Sequence, residues 1–233
     1  MKEMIINNVK ISASIMCIDW LNAGDQLKIL QEENIDYLHW DILDGVFAPD
    51  YILGSSIINQ FRKVSNIPSD YHMMIEEPSR LFDTFEFSAK DTVTIHQECS
   101  KNLHRDLIKL RNKGVKVGVA LCPATPLQTL DYIIEDIDQI IIMTVNPGYS
   151  GQPLVPQTIR KIYDMKKIII DAKLDIQLSV DGNVSFENIP YMLDAGADIL
   201  VGGTSSLFNK NMSLKNNINS IKTLIKDIKG NEI

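Results

Sequence analysis

The sequence predicts an α/β protein: a closed (β/α)8 barrel, with residues 1–233 forming a single domain. Three observations predict it. Short apolar runs alternate with helix-like segments eight times, at a period of about 25 to 30 residues that suits one βα unit. The strand-like runs are apolar on both faces, as in buried parallel strands. No glycine-rich dinucleotide loop follows the first strand, which favours a closed barrel over an open doubly wound sheet. A chain of 233 residues suits one barrel of this kind.

Taken in order, the first strand is expected over 10–16. A helix over 22–33 follows, with Leu21, Leu27 and Leu30 as apolar positions. Strands over 37–43, 71–75, 92–96 and 115–120 alternate with helices over 57–64, 78–85, 103–113 and 127–134. The sixth strand, 139–144, leads to a long helix over 157–172, announced by Pro156. The seventh strand covers 176–180, a helix 186–195, and the eighth strand 199–201. The last helix starts at Ser213 and ends in a polar tail. The strand interiors beneath the rim are expected to be apolar.

Charge narrows the partners. The formal net charge is −7, from 23 basic and 30 acidic residues. Such a field repels nucleic acid and acidic membranes, and a phosphorylated metabolite at long range. A phosphate site must then be local, built from backbone N–H groups or a metal. Cys17, Cys99 and Cys122 lack a paired spacing and read as reduced, packed thiols. The opening residues show neither a signal peptide nor a membrane span, so a cytoplasmic location is expected.

The informative polar residues fall at strand ends. His39 and Asp41 stand two apart on one strand and share a face. That pair reads either as a hydrogen bond fixing a loop or as functional. Asp44-Gly45 reads as turn chemistry. His72 lies on the next strand, within reach of His39. Asp181 closes an apolar strand, where an unpaired carboxylate is costly. Together His39, Asp41, His72 and Asp181 make a candidate two-His, two-Asp site for one divalent ion (Zn²⁺, Fe²⁺, Mn²⁺ or Co²⁺). Glu98 could support the imidazole of His96, and His104 reads as surface. Glycine-rich loops follow three consecutive strands: Gly148, Ser150 and Gly151 within 146–152, Gly182-Asn183, and Gly203-Thr204. Gly182, Asn183, Gly203 and Thr204 would anchor a phosphate, and 146–152 would act as lid or cradle.

These residues closely resemble the ribulose-phosphate 3-epimerase family, from about Ile11 to Asn209. The resemblance rests on Ser14-Ile15-Met16, on His39 through Gly45, on His72-Met73-Met74, on Gly118 through Pro126, on Met143 through Gln152, and on Val180-Asp181-Gly182. It implies a TIM barrel with a metal on His39, Asp41, His72 and Asp181. It also implies Asp41 and Asp181 as the acid/base pair, Ser14 in contact with substrate, and Met74 and Met143 around the reacting carbons. Family members often assemble as dimers or hexamers. The implied reaction inverts C3 of D-ribulose 5-phosphate to give D-xylulose 5-phosphate through an enediolate. Met16-Cys17 and Gly203 through Asn209 look more like the allulose-6-phosphate 3-epimerase branch, which gives D-fructose 6-phosphate. His96-Gln97-Glu98 and Pro123 through Pro126 look more like the pentulose branch. The chain departs from the family at Leu43, where methionine is frequent, and at Tyr149-Ser150 and Asn183, where glycine is frequent.

Rival chemistries on the same barrel lack their residues. A Schiff-base aldolase needs an inward lysine at a strand end, and the expected strands carry none there; Lys116 lies near a strand start. The related decarboxylases need a lysine beside paired aspartates, where this chain has Trp40. A metal-free binding module would leave several buried charges without a role.

Overall fold

A computed structural model describes residues 8–230. The opening stretch read above and the end of the polar tail lie partly outside these residues. The strands are β1 (Lys10–Ser14), β2 (Tyr37–Asp44), β3 (Tyr51–Ile52), β4 (Ser69–Met74), β5 (Thr92–His96), β6 (Lys116–Leu121), β7 (Gln139–Met143), β8 (Gln177–Asp181) and β9 (Ile199–Gly202). All but β3 pair in parallel in the order β1-β9-β8-β7-β6-β5-β4-β2, and the β1–β2 pairing closes the ring. The short β3 adds an antiparallel edge to β2, with Leu43 opposite Ile52. The chain is thus a closed (β/α)8 TIM barrel.

Outside the ring lie α1 (Ala23–Glu32), α2 (Ser55–Phe61), α3 (Leu103–Arg111), α4 (Gln157–Asp171), α5 (Ile189–Asp194) and α6 (Leu214–Gly230). The segments 78–85 and 127–134, expected as helices, form pairs of 3₁₀ turns instead: Pro78–Arg80 with Phe82–Thr84, and Leu127–Leu130 with Ile134–Asp136. Segments this short wind as α-helix only where packing offsets the cost of nucleation, as in α2 and α5. Threonine hydroxyls also compete for backbone carbonyls: Thr84 Oγ1 donates to Leu81 O and Thr129 Oγ1 to Pro126 O, each at 2.8 Å. Among the described residues no helix is long and apolar enough to cross a membrane.

The strands divide their side chains by alternation. Trp40, Tyr71, Ile95, Val119, Ile142 and Val180 point outward and are fully buried. They join Leu27, Leu107, Ile162 and Ile221 of the helices in one apolar cluster. The opposite face is unlike the apolar interior expected from sequence. Ser12, His39, Asp70, Thr94, Gln139 and Ser179 are buried inside the ring. The amide of Gln139 on β7 donates to Asp70 Oδ1 on β4 at 2.9 Å, across strands that are not neighbours. The hydrophobic core therefore lies between barrel and helices, while the lumen is largely polar. Hydrogen bonds among these groups offset the cost of burying most of them.

Candidate active site

Parallel pairing puts the C-terminal ends of the eight barrel strands on one rim. In the β2–β4 register, His39 stands opposite Asp70 and Asp41 opposite His72. The four predicted ligands meet just below this rim. His39 Nε2 lies 3.3 Å from Asp41 Oδ1, 3.6 Å from Asp181 Oδ2 and 3.3 Å from His72 Nδ1. His72 Nδ1 lies 3.4 Å from Asp41 Oδ1 and 3.2 Å from Asp181 Oδ2. A tetrahedral ion with donors at about 2.0–2.1 Å has donor–donor edges of about 3.3–3.4 Å. The spacing and the mixed N/O donors both fit such an ion.

The hydrogen-bond accounting agrees. Carboxylate oxygens only accept. His39 Nδ1 is 2.7 Å from Asp70 Oδ2 and donates to it, so in the neutral ring Nε2 offers a lone pair. Lone pairs therefore converge on one point, which only a cation or protons can satisfy. Burial opposes charge on His39, yet Asp41 and Asp70 outweigh it and hold the imidazole well above its ordinary value. Burial likewise opposes charge on His72, but hydrogen bonds to Asp181 and Asp41 raise it. Burial would raise both aspartates, but His39 and His72 hold Asp41 and Asp181 below the usual carboxylate range. The four groups titrate as one unit.

Around them is a shell that sequence reading largely missed. Asp70 also accepts from Ser12 Oγ at 3.0 Å and from Gln139. Ser14 Oγ donates to Asp41 Oδ2 at 2.8 Å. His72 Nε2 lies 2.8 Å from His96 Nε2, and His96 Nδ1 lies 3.2 Å from Glu98 Oε2, so Glu98 does support His96. Burial pushes His96 down to about 4 against the pull of Glu98. Burial would raise Glu98, but hydrogen bonds from His96 and Thr125 bring it to about 2. Asp44 does turn chemistry, accepting from the backbone of Val46 and Phe47, and His104 sits on the surface.

Above the donors opens a solvent-connected cleft. Ser14, Asp41, Met74, Met143, Gly148, Ser150, Gly151, Asp181, Gly182, Asn183, Gly203 and Thr204 all line it. His39 and His72 lie buried beneath. Gly182 has φ +110°, and a Cβ there would sit 2.5 Å from a Val145 methyl and 2.9 Å from its backbone nitrogen. Only glycine lets the loop after β8 run this close to the one after β7. The backbone N–H groups of Asn183 and Gly203 find no backbone or side-chain acceptor among the described residues and can serve an anion. Asn183 itself has φ 43°, and its side chain donates to Gln152 O at 2.7 Å, tying the two loops together.

The model of the ribulose-phosphate 3 epimerase family matches residues 10–208. A ribulose-phosphate 3-epimerase of Bacillus subtilis is 35% identical over 198 residues, covering 84% of this chain and 91% of that protein. One of Methanocaldococcus jannaschii is 34% identical over 221 residues, covering 95% and 90%. Among solved structures, phosphoribosyl anthranilate isomerase from Thermococcus kodakaraensis superposes with a TM-score of 0.64 at 10% identity, over 94% of this chain and 99% of that one. The 3-hexulose-6-phosphate synthase of Salmonella typhimurium gives 0.62 at 14% identity, over 94% and 100%. At such identities the superpositions speak for the barrel alone. The sequence matches go further: the chain belongs to the ribulose-phosphate 3-epimerase family and is a ketose-phosphate epimerase.

Proposed function

We propose that this chain inverts C3 of D-ribulose 5-phosphate to give D-xylulose 5-phosphate, using one divalent ion (Zn²⁺, Fe²⁺, Mn²⁺ or Co²⁺) and two aspartates. The observation that carries this is the convergence of His39, Asp41, His72 and Asp181 donors, within 4.8 Å of one another, at the floor of an open cleft. The relatives' names favour the five-carbon substrate. We further propose one domain, a homo-oligomer (dimer or hexamer) and a cytoplasmic location.

Held by these four residues, the ion supplies Lewis-acid stabilisation of the negative charge that develops beside C3. Asp41 on β2 and Asp181 on β8 face the cleft from strands separated by β1 and β9. One takes the proton from C3 of the bound ketose, leaving the enediolate, and the other returns a proton to the opposite face of C3. Ser14 holds Asp41 Oδ2 in place. Met74 and Met143 give the reacting carbons an apolar wall. Gly182, Asn183, Gly203 and Thr204 receive the phosphate, with Gly148, Ser150 and Gly151 folding over it. Anchoring this remote end orients the C3–H bond.

The test is parallel turnover of D-ribulose 5-phosphate and D-allulose 6-phosphate, after chelation and after reconstitution with each ion. Activity on the pentulose should vanish on chelation and return with metal. Faster turnover of the hexulose would reassign the substrate, and turnover undiminished by chelation would overturn the role of the ion.

A further inference from the structure

A second cluster adjoins the first. His96 Nδ1, Glu98 and Cys122 Sγ offer donor atoms within 4.8 Å of one another, which on composition alone suggests another metal site. The hydrogen bonds assign it a different task. We propose that Glu98, acting through His96, is a positioning residue that fixes the tautomer of His72 and so keeps its Nδ1 free to ligate the ion. This inference rests on the metal reading above.

The argument is a count of protons. His72 Nε2 and His96 Nε2 are 2.8 Å apart and buried, so one proton lies between them. For His72 Nδ1 to present a lone pair to the ion, the neutral ring must carry its proton on Nε2 and donate it to His96. His96 Nε2 must then be the acceptor, and its own proton sits on Nδ1. That proton faces Glu98 Oε2 at 3.2 Å. The polarity of Glu98 is fixed in turn, because Oε1 already accepts from Cys122 N at 2.9 Å and from the Thr125 hydroxyl. Every proton in the chain from Cys122 N–H to His72 is thereby determined. A cation on His96 Nδ1 would need the reverse polarity and would cost the first site its His72 ligand. The Cys122 thiol, 3.7 Å from His96 Nδ1, is a weaker acceptor than the carboxylate and adds packing.

Glu98→Gln tests this without changing shape. The Cys122 N–H still demands an oxygen, so the new amide turns its NH₂ toward His96 Nδ1. His96 must then carry its proton on Nε2, which pushes the His72 proton to Nδ1. Zn²⁺ affinity, read by competition against a chromogenic chelator, should fall about 10–100-fold, the usual effect of losing an outer partner of a ligating histidine. Long-range ¹H–¹⁵N spectra of Zn²⁺-loaded protein should show His72 protonated on Nε2 and His96 on Nδ1, and only four histidines need resolving. Cys122→Ala should leave the affinity unchanged. Three results would overturn the proposal: wild-type His96 protonated on Nε2, Glu98→Gln binding Zn²⁺ as tightly as wild type, or Cys122→Ala weakening it as much as Glu98→Gln. A wild-type chain that takes up no Zn²⁺ would remove the metal reading itself, a result distinct from all three.

Discussion

Asp70 Oδ2 stands 2.7 Å from His39 Nδ1 and decides which nitrogen of that histidine faces Asp41 and Asp181. Two further donors, Ser12 and Gln139, keep Asp70 an acceptor. Asp70→Asn would bring amide hydrogens against groups that themselves donate. Zn²⁺ affinity is expected to drop about 10–100-fold with the far-UV circular dichroism unchanged. An unaltered dissociation constant would deny Asp70 this role.

Asp41 and Asp181 face one cleft from different strands, which sets up a test of two-base inversion. Asp181→Asn should slow interconversion by about 10²–10⁴-fold. Exchange of the C3 hydrogen with deuterated water should survive for only the epimer whose proton Asp41 removes. Metal content is measured alongside. Full turnover in both directions would sink the two-base scheme.

Acid should loosen the metal. The carboxylates hold His39 and His72 above the ordinary imidazole value, so protons occupy the cluster when no cation does. A cation must displace them. Affinity should fall as pH decreases, by about tenfold per pH unit for each proton released. Calorimetric titration in two buffers of different ionisation enthalpy would count those protons. An affinity independent of pH from neutral into the acid range contradicts this.

Asn183 ties the loop at 146–152 to the loop after β8 through Gln152 O, and Asn188 Nδ2 holds Asn183 Oδ1 at 3.2 Å. Asn183→Gly removes that tie while relaxing a left-handed backbone. One hydrogen bond contributes about 0.5–1.5 kcal/mol, so KM for the phosphorylated ketose should rise roughly two- to tenfold. Amide exchange in 146–152 should quicken. No change in either would show that the loop is ordered by other contacts.

At the far end of the strands, Asp91 is buried and accepts from Arg62 at 2.7 Å, from Ser69 N at 3.0 Å and from Ser88 N at 2.6 Å. Asp91→Ala leaves a partly buried guanidinium without its counter-charge, with only the Tyr71 and Ser69 hydroxyls as partners, and two N–H groups unpaired. It should cost about 2–4 kcal/mol in urea unfolding while leaving Zn²⁺ affinity untouched. A change below about 1 kcal/mol would mean that water replaces the carboxylate.

The four converging side chains are legible in the sequence because each is a local anomaly. His39 and Asp41 share a strand face, and Asp181 is a carboxylate at the end of an apolar run. Asp70 carried the same signal, standing two residues before His72. The apolar run that marks the strand starts only at Tyr71, which hides Asp70, whereas β4 begins at Ser69. Ser12, Thr94, Gln139 and Ser179 read as ordinary strand residues, since partners such as Gln139 and Asp70 lie 69 positions apart. No periodicity encodes such a contact. The turns at 78–85 and 127–134 carry leucines and phenylalanines at helix-like spacing, yet only packing decides whether so short a segment winds as α or 3₁₀.

The alternation along the strands has an evolutionary corollary. Neighbouring positions such as 38, 39, 40, 41 and 42 belong by turns to two separate environments, one oily and one hydrogen-bonded. Changes at Leu38, Trp40 and Ile42 should register as altered melting temperature, and changes at His39 and Asp41 as altered reactivity. New chemistry can thus be explored from the inside of the ring while the helices outside keep their seating.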